Sequence, residues 1–326
     1  MKSLTGASLI LVILLVSLSA YLRLAHSGIG CADWPACYGR IGPPPAEARP
    51  AGRQGDAYEI LLLQKSRPLA WATPLHRLVA SVLGLLIVGL NVAALRRKDH
   101  RLISMALLLL TVFLAVLGVY SGSLHDPSVV MGNLVGGFTM LALLGWMWFR
   151  QTATGQPGRA PAHTQSVFSR LAVASIVVLS IQILLGGLTS ANFAATACRT
   201  LPDCHGSWLP GTELLEAMNL NREHEVTASG QAVGGAERIA IHQAHRLGAV
   251  ITGGLVLLTG LFAVWAGGIW RNTGLLITGL VGLEFFVGIA AVLRGLPIEL
   301  AVAHNWLAGL LLLALLSLLM KSRTIP

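Results

Sequence analysis

Apolar runs long enough to cross a bilayer recur eight times along the chain, at about 7–25, 75–95, 102–123, 128–149, 168–190, 241–265, 272–293 and 299–320. One span needs roughly 20 apolar residues. Each run predicts a helix, because a helix satisfies its own backbone polar groups in lipid. The first run follows Lys2 as a secretory leader would. It ends in Tyr21-Leu22-Arg23 with no small-residue cleavage pattern, so it reads as a span. On one side of the membrane the connections are long, about 26–74 and 191–240, or short, near 124–127 and 294–298. The segment 151–166 is rich in Gly, Pro, Ala and Thr and reads as a flexible linker on the other side.

The halves on either side of that linker repeat each other. Cys31-Ala-Asp-Trp-Pro35-Ala-Cys37-Tyr-Gly39 and Cys198-Arg-Thr-Leu-Pro202-Asp-Cys204-His-Gly206 share the pattern C-x3-P-x-C-x-G. The next span then opens with His76-Arg77-Leu-Val-Ala80 in one half and His245-Arg246-Leu-Gly-Ala249 in the other, 45 and 47 residues after the first cysteine. Two unrelated motifs in one order at matched spacing indicate a duplicated four-helix unit. The expected fold is an all-α membrane protein whose eight transmembrane helices form two pseudo-symmetric four-helix bundles. Residues 1–150 and 167–326 are the halves, joined by 151–166 and related by a twofold along the membrane normal.

Composition agrees and narrows the class. Hydrophobic residues make up 54% of the chain and charged residues 11%, against about 25% charged in a soluble domain. That excludes a soluble enzyme and a nucleic-acid-binding domain. The net charge of +9 therefore describes topology rather than a partner. Eleven basic residues lie at the chain ends and in the connections after even-numbered spans, opposed only by Asp99. Twelve basic and twelve acidic residues occupy the other side, and the remaining acid, Glu284, is inside span seven. The positive-inside rule puts both termini in the cytoplasm.

With charge so scarce, the ionisable residues left in the spans become functional candidates. His76, His245 and His304 each open an even-numbered span and are expected at one depth near the outer leaflet. Facing histidines on neighbouring bundle helices can ligate haem iron axially. The competing role is helix packing by a histidine bonded across the bundle. His242, one turn before His245 on nearly the same face, reads as a residue of the water interface, a hydrogen-bond donor supporting the ligand histidine being the alternative. Arg77 and Arg246 either pair with acidic groups of a haem or snorkel to the surface. All four cysteines fall in the outer connections. Cys31 with Cys37 and Cys198 with Cys204 suit short disulfide loops, redox-active thiols remaining the alternative.

The first cysteine loop preceded by Arg23-Leu24, the two His-Arg motifs, Gln182-x-x-Leu-Gly186-Gly187-x-Thr189 in span five and His304 in span eight together resemble the heme A synthase family, over essentially the whole chain. The resemblance implies a bacterial inner-membrane oxidoreductase that oxidises a methyl group of heme O to the formyl group of heme A for terminal oxidases. It implies a haem b between His245 and His304 as cofactor, and heme O at His76 in the N-terminal half. His76 would be the catalytic residue, and Arg77 and Arg246 would face propionates. The implied partners are the haem substrate, the lipid bilayer, and heme O synthase or oxidase assembly factors. A homo-oligomer stays open, and no nucleic acid is expected.

The departures fall in the first half. Thr73 stands where the family commonly has Glu, and Asn133, or Gly132 in another register, where it has a second histidine. Heme O would then be held by His76 alone, or with His125 substituting from the short loop. Alternatively the chain is a non-catalytic haem-binding protein for oxidase assembly or electron transfer. Glu284 lies where the family often has Gln and is expected to hydrogen-bond within the C-terminal bundle.

Overall fold

The computed structural model describes residues 1–24, 71–120, 127–152, 162–198, 200–221 and 235–323. Eight helices among these residues are long and apolar enough to cross a membrane. They are α1 (Lys2–Leu24), α2 (Ala72–Arg97), α3 (Arg101–Tyr120), α4 (Pro127–Thr152), α5 (Ala162–Ala191), α6 (Ala236–Ala266), α7 (Gly268–Leu293) and α8 (Ile298–Arg323). Several outrun their apolar stretches. Helix α4 continues to Thr152 and α5 begins at Ala162, so helix enters both ends of the linker segment 151–166. Helix α6 starts a turn before its apolar run, where Glu237 in the first turn complements the positive end of the helix dipole. Cys31, Cys37, His26 and His125 lie outside the described residues.

The packing follows the duplication. In the first half α1 packs on α2, α2 on α3, α3 on α4 and α4 on α1, closing a ring of four. In the second half α5, α6, α7 and α8 close the same ring in the same order. The halves meet where α4 packs on α8, flanked by α1 against α8 and α5 against α4. If α1 corresponds to α5 and α4 to α8, those flanking contacts are equivalent, as a twofold through the α4–α8 seam requires. Along that seam Gly145 of α4 makes room for Leu313 of α8, and Gly309 of α8 for Leu141 of α4.

The core is aliphatic, with Ile87, Leu90, Leu144, Met147, Ile277 and Leu315 fully enclosed. Side chains such as Leu102 and Leu85 are exposed on the helix faces turned outward, where lipid would cover them. Phe168 closes the base of the second bundle, its ring centroid 4.6 Å from that of Trp270 and 4.9 Å from that of Phe262. Polar pairs add cross-links in the same half. Ser175 and Thr259 hydroxyls meet at 2.9 Å, and Lys321 Nζ donates to Thr273 Oγ1 at 2.7 Å.

Helices α6 and α7 cross at glycines. A Cβ on Gly274 would stand 2.6 Å from Gly260 O and 2.7 Å from Val264 N, and backbone cannot yield as a flexible side chain does. Gly274→Val is expected to lower stability by about 3 kcal/mol or more, the upper end for overpacking. Thermal unfolding of the purified protein in detergent checks this, with Gly279→Val, which meets nothing within 4 Å, as the neutral comparison.

Candidate functional site

The second bundle encloses a cavity of about 490 Å³ at the end where α6 and α8 begin. That volume lies in the range of small-molecule and cofactor sites. Its walls are mainly apolar, with Phe138 and Leu134 of α4 contributing from the first half. His245 of α6 and His304 of α8 both line it, their ring centroids 6.4 Å apart and their planes at 89°.

Each ring is seated in the same way. Gly186 of α5 lies behind His245, and a Cβ there would be 3.1 Å from Cε1. Gly288 of α7 lies behind His304, where a Cβ would be 3.2 Å from Cε1. Each Nδ1 also has a polar neighbour on the same backing helix. Gln182 Nε2 of α5 is 3.0 Å from His245 Nδ1 and donates to His245 O at 2.9 Å. Gly248, one turn after His245, leaves the space that the Gln182 amide fills. Glu284 Oε1 of α7 stands 3.3 Å from His304 Nδ1, outside hydrogen-bonding angles. Glu284 thus faces the His304 ring within the C-terminal bundle, at ion-pair distance rather than in the hydrogen bond expected.

This donor set fits a haem. An imidazole–metal bond is about 2.0–2.1 Å, and a ring nitrogen lies roughly 1 Å from its centroid. One ion between two imidazoles therefore sets the centroids about 6 Å apart, close to what is observed. Among the described residues no group of three or more His, Cys, Asp or Glu could hold a bare metal ion. A two-histidine site suits an ion that brings its own equatorial ligands, as haem iron does.

A disulfide loop covers the cavity. Cys198 is bonded to Cys204, and Cys204 and Ser207 exchange backbone hydrogen bonds of 3.0 and 3.1 Å. Leu201, Pro202, Cys204 and Trp208 line the cavity from this loop. The first turns of α6 hold the loop down. Gln243 Nε2 donates to Ser207 O at 3.1 Å, and His242 Nδ1 lies 2.9 Å from Ala194 O. His242 is therefore not a residue of the water interface. It is 4% exposed and tied to a loop carbonyl 48 residues upstream.

Arg246 has a different position from the one expected of a residue facing an acidic ligand group. Its Nη1 donates to Thr200 O at 2.7 Å and Asp203 O at 2.9 Å, and its Nη2 donates to Cys198 O at 2.6 Å. Both terminal nitrogens thus gather the loop carbonyls. Hydrogen bonds from a charged donor contribute about 1.5–3 kcal/mol each. Arg246→Gln is expected to release the loop while the helices stay packed. Hydrogen exchange of the 200–207 amides, at least about tenfold faster than in the wild type, checks this.

The first half brings less together. His76 sits four residues into α2, beside the buried Arg77. Thr73 is in the first turn of α2. Asn133 Nδ2 donates to Val129 O of its own helix at 3.1 Å, and a Cβ on Gly132 would meet Leu117 Cδ2 at 2.7 Å. Neither α4 position replaces the missing histidine with an iron ligand. The three histidines also differ in their place on the helix. His245 is nine residues into α6, because that helix starts before its apolar run.

Comparison with known proteins covers the same whole-chain architecture. Residues 2–316 match the cytochrome oxidase assembly protein family. The protein named Heme A synthase from Shewanella oneidensis is 34% identical over 322 residues, covering 95% of this chain and 93% of the relative. The proteins of that name from Neorickettsia sennetsu and Rhizorhabdus wittichii are 25% and 26% identical, each over more than nine-tenths of this chain and 93% and 89% of their own lengths. The match spans both four-helix halves, and the chain belongs to the heme A synthase family of cytochrome oxidase assembly proteins.

Proposed function

We propose that this protein is a multi-pass oxidoreductase of the bacterial inner membrane that converts the methyl group of heme O to the formyl group of heme A for oxidase assembly. The observation that carries the reading is the pair His245 and His304, facing across one cavity and each backed by a glycine, in a chain with heme A synthase relatives. In this reading His245 and His304 hold a haem b, which supplies one-electron transfer. Gln182 and Glu284 orient the two rings through Nδ1. The disulfide loop, drawn down by Arg246, keeps water from the cavity. Heme O binds in the first half at His76, with Arg77 toward its acidic groups. The two halves 1–150 and 167–326 then divide substrate and cofactor, and the basic excess keeps both termini cytoplasmic.

The test is production in cells that make heme O but no heme A, followed by extraction and chromatography of the haems. Heme A is expected with the wild-type chain. With His76→Ala it should fall by at least about 100-fold, the low end for losing a principal catalytic group, while the low-spin spectrum of the second half persists. Heme A at wild-type levels from His76→Ala would remove that residue from the reaction. A second reading, haem binding without catalysis, draws on Thr73 and on the Asn133 amide bonded within its own helix. It predicts bound haem b and no heme A from the wild type.

A further inference from the structure

A cation with no counter-ion among the described residues stands in the wall of the second-half cavity, and it comes from the first half. Arg23 lies in the last turn of α1 and lines the cavity formed by α5 to α8. Its Nη2 donates to Asn305 Oδ1 at 3.3 Å. Among the described residues its enclosed Nε has no partner, and neither has Asn305 Nδ2. Among the described residues no carboxylate forms an ion pair with Arg23. Among the described residues the one acid in the cavity wall, Glu284, stands against His304.

Enclosing a guanidinium without an anion is strongly unfavourable. The C-terminal end of α1 offsets only a small part of that cost. Arg246, the other arginine of the wall, already gives its terminal nitrogens to three carbonyls. Among the described residues Arg23 and Asn305 retain uncommitted N–H groups, and a guanidinium beside an amide donor suits a carboxylate. Asn305 and His304 line the one cavity, so a single ligand can place a carboxylate there and reach that histidine.

We infer that Arg23 and Asn305 form a carboxylate-binding subsite that anchors an acidic side chain of the haem seated between His245 and His304. The subsite spans the two halves: α1 supplies the cation and α8 the amide. It rests on the proposed haem b site, and it assigns Arg23 to the second-half pocket although its sequence motif belongs to the first.

The test uses the full-length protein, produced in haem-deficient cells and titrated in detergent with iron protoporphyrin IX or with its dimethyl ester. Wild type is expected to bind the acid at least about tenfold more tightly than the ester, equivalent to about 1.4 kcal/mol. Arg23→Met and Asn305→Leu should lower acid affinity toward that of the ester and leave ester binding and its low-spin spectrum in place. Wild type without preference for the acid overturns the subsite and requires no variant to fold. So does an Arg23→Met protein that keeps the full preference. An Arg23-dependent retention of phosphatidylglycerol with no acid-over-ester preference assigns the site to a lipid phosphate and overturns the carboxylate. Failure of wild type to bind either compound overturns the haem site itself, a result distinct from equal binding of both.

Discussion

Replacing His304 with alanine is expected to abolish the low-spin haem spectrum and lower the haem content of the purified protein by at least about tenfold. The ring is one of two imidazoles facing across the cavity, with centroids 6.4 Å apart. Among the described residues no group of three or more His, Cys, Asp or Glu could hold a metal ion in its place, and Glu284 stands 3.3 Å from the ring that the mutation removes. If a haem is held as proposed, removing the imidazole would leave His245 as its remaining protein ligand, and the loss of one such ligand would change the spin state. The helix itself should survive, because α8 is anchored by Leu307, Leu311, Leu315 and Leu318, which are buried deeper in the bundle. Absorption spectroscopy together with pyridine-haemochrome quantification reads both effects. An unchanged low-spin spectrum would refute His304 as a ligand. Gln182→Ala is a milder companion. It removes the Nδ1 partner of His245 but not a ligand, so binding should weaken with the spectrum retained.

The parts of this molecule that sequence could supply are those with a local period or a repeated motif. The eight helices and the closed four-helix halves follow from apolar runs and from the doubled Cys-Pro-Cys and His-Arg patterns. The pairing of His245 with His304 follows as well, because each stands early in the apolar run of its helix. What sequence withholds are contacts set by packing at long range. The bond of His242 to Ala194 O joins helix to loop across 48 residues, and no pattern marks a carbonyl as an acceptor. Arg246 repeats Arg77, which invites one role for both. Yet its neighbours are the carbonyls of a loop whose path only the fold determines. Arg23 sits in a first-half motif and reaches the second-half cavity because α1 packs on α8. The helix ends were also hidden. Hydrogen bonding carries a helix past the last apolar residue, as at Ala162 and Ala236.

The glycines behind the histidines give the second large effect. Gly288→Val is expected to weaken haem binding by at least about tenfold while the protein stays folded. A Cβ at Gly288 would lie 3.2 Å from His304 Cε1, and the branched side chain adds two further methyl groups beyond it. The ring has little room to retreat, with Glu284 3.3 Å away on its Nδ1 side. It must therefore move toward the cavity or rotate, and either would displace the ring proposed to hold the haem. Overpacking of this kind costs about 1–3 kcal/mol, and about 1.4 kcal/mol already corresponds to tenfold in affinity. Gly282→Val separates the ligand effect from a general loss of helix quality. It makes the same replacement on the same helix six residues earlier, where an added Cβ meets nothing within 4 Å. Valine is well tolerated in a lipid-facing helix, so Gly282→Val should bind haem as the wild type does. Equal haem loss in both variants would mean that α7 tolerates no added side chain. Haem loss in neither would mean that Gly288 does not seat the His304 ring. The structure predicts loss at Gly288 alone, and Gly186, placed likewise behind His245, should respond to valine in the same way.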